Sequence, residues 1–267
     1  MAKEYTVKQI VEVPYQNFIT SYVVPSLVIS PSNHISFLPL YSGPCVKVRI
    51  GSGSAGHEYE LSRAILCKQS PYFAATFEGA FREGQDQSTT LVEEEGVVSQ
   101  RSFEMLVQWL YIGRIRFGEP TPTECITAIM EFVRLADMCE VTGMETQMAE
   151  HIKNIILANP PPEDKSISKG RHPDTNTFCI VGQHITSANL LPRGHPVRKI
   201  LVIAAVEGYI RRNKHKFLKE ICVSPDFAVD LLLEVKETLK TVASENTKIS
   251  FEDPFSGETV AFVTQDI

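Results

Sequence analysis

LSRAILCKQSPYFAATFEGAFREG, residues 61–84, decides how the rest of the chain is read. It holds a complete short helix with its start signal written in. Ser70 is placed to cap the first turn with its hydroxyl, and Pro71 at the first helical position gives up only an N–H that has no intrahelical partner. Tyr72, Phe73, Thr76 and Phe77 then recur at helical spacing, so the helix presents a bulky aromatic face. Gly79 sits where a left-handed residue would let the chain leave the helix. A strand pattern, Glu58-Tyr59-Glu60-Leu61, leads in, and an acidic, glycine-containing loop leads out. Such a unit needs neighbours on several sides.

Working outward, CVKVRIG (45–51) alternates: Val46, Val48 and Ile50 face one way, Lys47 and Arg49 the other. That is the pattern of a half-buried strand, and GSGSAG (51–56) turns it into a hairpin with the strand at 57–61. Thr89–Glu93 reads as a third strand, with Glu93-Glu94-Glu95 as a charged loop. Residues 99–112 give the strongest helix: Phe103, Leu106, Val107, Leu110 and Tyr111 form a full apolar stripe that Met105, Trp109 and Ile112 widen. Ile115 and Phe117 allow a brief strand after Gly113. Thr121-Pro122-Thr123-Glu124 is a capping box opening a helix to about Cys139, and another helix runs from Met144 to Asn159.

The first 44 residues carry Pro14, Pro25, Pro31, Pro39 and Pro44, which interrupt every apolar run; extended or partly disordered segments are expected there. Residues 160–173, polar and rich in proline, read as a linker. Beyond it the pattern predicts helices over about 174–187, 196–211, 215–222 and from Ser224-Pro225 to Leu239, the last carrying Ala228, Leu231, Leu232, Val235 and Leu239. The tail from Ser244 is polar, with Val260, Phe262 and Val263 able to add a strand. The divisions expected are therefore 1–44, a folded domain over 45–159, a linker over 160–173, a helical extension over 174–243 and a tail over 244–267.

A net charge of −6 argues against a nucleic-acid backbone or an anionic membrane as the main partner. The six cysteines lack any C-x-x-C pair, no secretory signal precedes them, and no apolar run approaches the ~18 residues a membrane helix needs. An intracellular protein, in nucleus or cytoplasm, is expected.

The residues that could carry chemistry have plainer readings. Gly51-Ser52-Gly53-Ser54-Ala55-Gly56 is a literal G-x-G-x-x-G, but HEYELS after it alternates like a strand and opens no helix, so a hairpin turn outweighs a pyrophosphate site. Glu93–Glu95 reads as a solvated edge. Cys179 and His184, five apart, have neither helical nor zinc-knuckle spacing. The basic run from Arg211 to Lys216 suits a helix C-terminus or a nuclear-targeting patch. No catalytic residue, cofactor, metal or small-molecule substrate is expected.

Taken together, residues 45–159 resemble a BTB/POZ domain, in the form found in stand-alone fungal BTB proteins. The resemblance rests on CVKVRIG, YELSRAILCKQSPYF, FEGAFREG, TTLVEE, SFEMLVQWLYIGRI and EFVRLADMCEVTGMETQMAEHI, in that order. The stretches HPVRKILVIAAVEGYI and SPDFAVDLL look like the helical extension of those proteins. The resemblance implies an α+β fold, a small, mostly three-stranded sheet plus a helical cluster, followed by an all-helical extension.

It also implies protein–protein association: self-pairing as a homodimer, and in many members the bridging of a cullin ubiquitin-ligase scaffold to a substrate. Cullin-binding members carry a hydrophobic-x-Glu motif, and Phe81-Arg82-Glu83 matches it in place. Phe81, Arg82, Glu83 and Tyr72 are the implied contact residues, Phe81 either filling a partner's pocket or packing back onto the 71–78 helix. Cys45 stands where the family often has Asp, and Ser62-Arg63 where it often has His-Lys or His-Arg, so the charged pocket of transcriptional members lacks its acidic side. The N-terminal helix that swaps across the usual dimer has no counterpart in residues 1–44. A cullin-type adaptor is the leading reading; a self-associating scaffold or transcriptional co-regulator is the alternative, and a nucleotide-binding enzyme using the glycine loop a remote one.

Overall fold

The alternation at residues 45–50 becomes an inner strand of a four-stranded sheet in the computed structural model, which describes residues 4–6, 43–51, 56–162, 172, 174–212, 214–245 and 248–262. In chain order the strands are β1 (Glu4–Thr6), β2 (Cys45–Ile50), β3 (His57–Ser62) and β4 (Ser88–Leu91), arranged β1-β3-β2-β4. β2 and β3 are antiparallel with Val48 opposite Tyr59 and Ile50 opposite His57. β4 adds to β2 in parallel, Val48 opposite Thr89, and β1 adds to β3 in parallel, Tyr5 opposite Tyr59. Val46, Val48, Ile50, Tyr59 and Leu61 are buried, each contributing roughly 1.5–3 kcal/mol relative to exposure. The strands around the glycine loop therefore run antiparallel, and β3 follows it where a dinucleotide site needs a helix; this removes the nucleotide reading. Loop residues 52–55, like the proline-broken stretch 7–42, lie outside the described residues.

Three short helices follow β3: α1 (Arg63–Gln69), α2 (Pro71–Glu78) and α3 (Arg82–Asp86). Ser70 serves two of them. Its N–H donates to the Leu66 carbonyl at 3.0 Å, closing α1, while its hydroxyl accepts from Phe73 N–H at 3.2 Å, opening α2. The long helix α4 (Gln100–Ile112) is capped by Ser99 and Ser102 and ended by Gly113 in the left-handed region, φ 64°. From Ser102 to Ile112 only Glu104 and Gln108 are not buried, as the widened stripe predicts.

The expected strand at Ile115–Phe117 does not form. Arg116 N–H donates to the Gln108 side chain at 3.1 Å, and residues 114–119 stay irregular, because a two-residue alternation without a partner strand has nothing to pair with. α5 (Pro122–Met138) opens as the capping box predicts, Thr121 hydroxyl accepting from Glu124 N–H and donating to its carboxylate at 2.6 Å.

By contacts the chain forms two compact units. One holds residues 1–118 and 131–142; the other holds 119–130 and 143–267. The second unit contains α6 (Glu145–Ala158), α7 (Gly182–Asn189), α8 (Pro196–Arg211), α9 (Leu218–Val223) and α10 (Pro225–Leu239). α8 is its central element, packed against α6, α7 and α10 and buried along a continuous run from Leu201 to Gly208 except Ile203. Ala204, Ala205 and Gly208 supply the small side chains that close packing requires.

Two expectations fail here. Residues 174–187 do not make one helix: a 3-10 turn at Thr175–Thr177 precedes α7. Asn176 is drawn inward, its amide donating to Glu207 at 3.2 Å and Asp253 at 2.9 Å, which a continuous surface helix would not allow. The tail, expected to add at most one strand, forms an antiparallel sheet of β5 (Ala243–Glu245), β6 (Lys248–Glu252) and β7 (Thr259–Ala261). The Asp253 carboxylate holds its turn, accepting from Phe255 N–H, Ser256 N–H and the Ser256 hydroxyl, while Phe251, Phe255 and Val260 are buried. The extension is thus mostly rather than wholly helical, and the whole is α+β. Linker residues 163–171 and 173 lie outside the described residues.

Candidate partner-binding surface

α2 is fixed from below. The buried Ser70 hydroxyl donates to the Cys139 carbonyl at 2.6 Å, and Phe73 and Phe77 stack inside with ring centroids 6.1 Å apart and planes 11° from parallel. Tyr72 is half-buried, edge-on to Phe73 at 5.2 Å. Burial foremost, with lesser contributions from Cys139 and Glu83, raises its phenol above the ordinary value.

Gly79 ends α2 with φ −73° and ψ 171°, an extended conformation open to any residue, so the expected left-handed exit is wrong. Glycine is needed there for another reason. A Cβ would fall inside contact distance of the Ala75 carbonyl oxygen. The same holds at Gly84, whose Cβ would collide with the Gly79 carbonyl. The two glycines let the chain fold tightly on itself between α2 and α3.

The turn is pinned on its inner side. The Gln87 amide donates to the Phe77 carbonyl at 3.2 Å and to the Gly84 carbonyl, and the Gln87 carbonyl accepts from Lys47 N–H at 3.0 Å. Gln87 itself is left-handed, φ 49°. On the outer side stand Phe81, Arg82 and Glu83. Phe81 is 71% exposed, so it does not pack back onto α2. It occupies the N-cap of α3, where an oxygen-bearing side chain is favoured, and makes no capping bond. Arg82 pairs with Asp86 at 3.0 Å, both exposed, and Glu83 lies exposed in the first turn of α3. The structure thus brings Phe81, Arg82 and Glu83 together at one surface turn, with Tyr72 half-buried beneath and its phenol within electrostatic reach of Glu83.

Sequence reasoning missed Val92, which is 70% exposed beside the exposed acids Glu93–Glu95. Its signal was its place, an apolar residue between the end of β4 and the acidic run.

The remaining candidates are structural. His184 accepts from Val181 N–H at Nδ1 (3.3 Å), leaving its Nε2 proton for Thr127 Oγ1 at 2.8 Å. Burial first, and Lys216 second, hold its pKa down to about 4, so the ring is neutral. Three basic residues of the run are engaged internally: Arg211 pairs with Glu207 at 2.5 Å, Arg212 with Asp174 at 2.7 Å, and Lys216 donates to the Thr177 and Ile180 carbonyls, while Lys214 is exposed. All six cysteines are free thiols; Cys139 and Cys179 are buried, Cys45 and Cys222 exposed. Among the described residues no cluster of three or more His, Cys, Asp or Glu side chains could hold a metal, and no helix is long and apolar enough to cross a membrane.

A model of the BTB/POZ domain family matches residues 45–156, from the first residue of β2 almost to the end of α6. Residues 45–156 are a BTB/POZ domain. The Ser70-capped α2 and the turn carrying Phe81 lie inside this BTB/POZ domain. The chain is 33% identical over 91 residues to the human Kelch repeat and BTB domain-containing proteins 7 and 6. Each alignment covers 32% of this chain and 13% of the relative, so the chain spans about an eighth of the length of the curated relatives it matches. A BTB/POZ domain is a protein–protein interaction module, and protein partners are its business.

Proposed function

We propose that this chain is a non-enzymatic intracellular adaptor that joins a cullin-type ubiquitin-ligase scaffold to a substrate. In this reading residues 45–159 dock on the scaffold, and the helical extension over 174–243 serves substrate or assembly. One observation carries it: a large aromatic side chain, Phe81, stands 71% exposed at a helix N-cap where it does nothing for the local fold. A residue that violates local preference without a structural return marks a surface kept for a partner. Phe81 supplies an anchor for an apolar pocket, and Glu83, two residues on, supplies a charge that sets register. Arg82 and Tyr72 flank them, Arg82 held in place by Asp86.

The test is quantitative capture of cullin scaffolds by wild type, Phe81→Ala and Glu83→Lys. An aromatic hot spot is worth about 2 kcal/mol or more, so Phe81→Ala is expected to weaken binding roughly 30-fold. Equal recovery with all three proteins would take these residues out of the site. No recovery even with wild type would refer the chain to the scaffold reading without a ligase connection.

A further inference from the structure

A cavity of about 150 Å³ lies between α8 and α10, and the fold leaves part of its charge unmatched. One wall is α8, with Arg198 and Lys199 in its first turn and Val202 a turn further on. The other is α10, with Asp230, Leu233 and Glu234. Arg198 is the buried member, its side chain only 2% exposed. Its Nε donates to Asp230 Oδ2 at 2.8 Å, and its Nη1 donates to the Leu191 and Asn189 carbonyls at 3.0 and 3.3 Å. Nη2 lies 2.6 Å from the same Asp230 oxygen that Nε uses, and among the described residues it makes no hydrogen bond. A guanidinium has five donors, and leaving a buried donor without an acceptor costs on the order of 1–3 kcal/mol. An incoming acceptor is therefore favoured at this wall.

The remaining charges say what kind of ligand fits. Asp230 is already shared by two cations, since Arg193 pairs with its other oxygen at 3.2 Å, so Arg193, Asp230 and Arg198 together are net positive. Lys199 is exposed and Glu234 half-buried; both line the cavity, and neither forms an ion pair, with the other or with any described residue. The α8 wall thus offers positive charge and the α10 wall one unmatched carboxylate. A simple anion would be repelled by Glu234, and a simple cation by Lys199 and the arginines. A ligand that carries both charges satisfies both walls. Buried Val202 and half-exposed Leu233 add apolar surface. The volume is below the roughly 300–1,000 Å³ of pockets for drug-sized ligands, so the ligand is small.

We propose that this cavity binds a small zwitterion, a free α-amino acid with an apolar side chain. The ligand carboxylate is met by Lys199 and the unused donor of Arg198, its ammonium by Glu234, and its side chain by Val202 and Leu233. All these residues belong to the second compact unit, and the site does not rest on the adaptor reading.

The test is isothermal titration calorimetry of the full chain with free leucine, valine and methionine. N-acetylleucine, which lacks the ammonium as a peptide's C-terminus would, and leucinamide, which lacks the carboxylate, are titrated beside them. At least one free amino acid is expected to bind saturably, and both leucine derivatives to bind more weakly than leucine. Lys199→Ala and Glu234→Gln, each with an unchanged far-UV circular dichroism spectrum, are expected to weaken the amino acid roughly tenfold, the worth of one charge-assisted hydrogen bond. Glu234→Gln is expected not to weaken N-acetylleucine, because that probe has no ammonium to lose. Arg198 stays intact in these variants, since removing it would strand Asp230. No saturable binding of any of the three amino acids overturns the proposal. So does a derivative that binds as tightly as leucine, or an affinity that both substitutions leave unchanged.

Discussion

Ser70→Ala separates what holds the BTB/POZ domain together from what it shows to a partner. The Ser70 hydroxyl is fully buried and makes two bonds, accepting from Phe73 N–H and donating to the Cys139 carbonyl. Losing an N-cap side chain costs about 1 kcal/mol, and stripping a buried acceptor of its donor adds roughly 1–2 kcal/mol. The expected loss is about 2–3 kcal/mol. With a urea slope of about 2 kcal/mol per molar, the unfolding midpoint falls by roughly 1–1.5 M. Trp109, the sole tryptophan of the chain, is buried in α4 within the same compact unit, so its fluorescence reports this unit's transition. Phe81→Ala is the companion measurement: a side chain 71% exposed should leave the midpoint within the ~0.5 kcal/mol expected of surface changes. A midpoint shift below about 0.25 M for Ser70→Ala would refute the reasoning, because it would mean that the Cys139 carbonyl finds another donor at little cost.

Two further expectations follow from particular geometries. Gly79→Ala is expected to cost about 1–3 kcal/mol by overpacking against the Ala75 carbonyl, although φ −73° suits alanine, whereas Gly118→Ala, with nothing near its Cβ position, costs nothing measurable; equal effects of the two in the same fluorescence-detected denaturation would remove the steric account. His184 carries a pH dependence whose sign is set by burial. Its folded pKa of about 4 lies below the ordinary value, so the unfolded chain binds the proton more tightly. Stability is intact above about pH 6.5 and falls, by on the order of 3 kcal/mol, as pH drops toward 4. His184→Asn should flatten that decline when thermal unfolding is followed by far-UV circular dichroism, and an identical slope in both proteins would show that other groups carry it.

What could be read from the residues alone was whatever neighbouring residues decide. Ser70-Pro71, Thr121-Pro122-Thr123-Glu124 and Gly113 act within one turn of themselves, and each starts or ends a helix where expected. Gly79 was misread because a glycine needed for φ and one needed for a close approach look alike until the Ala75 carbonyl is in place. The carboxy-terminal sheet was largely illegible for a different reason. Its strands are three to five residues long, and they are fixed by Asp253, which meets Asn176 across 77 residues. Ala228, Leu231, Leu232, Val235 and Leu239 fall within about 100° of one another around their helix, so the sequence reads as one buried stripe, and only packing reveals that Leu232 and Leu239 lie on its exposed edge. Phe81 beside an aromatic helix could equally have packed inward, and exposure alone decides between the two.

That exposure gains its meaning from how the turn is built. α3 has five residues, none of them buried, and a cap residue whose side chain makes no capping bond, so it could not persist on its own helical propensity. It is held from behind, by the Gln87 amide on the Phe77 and Gly84 carbonyls, by the Gln87 carbonyl on Lys47 N–H, and by two glycines that admit the close chain crossing. The outward residues are therefore released from structural duty. The Arg82–Asp86 pair is too exposed to contribute more than a few tenths of a kcal/mol. A fold that commits Gln87 and two glycines to a turn whose outer face adds so little to stability has built a pedestal, and the large apolar side chain that the pedestal holds in solvent is Phe81.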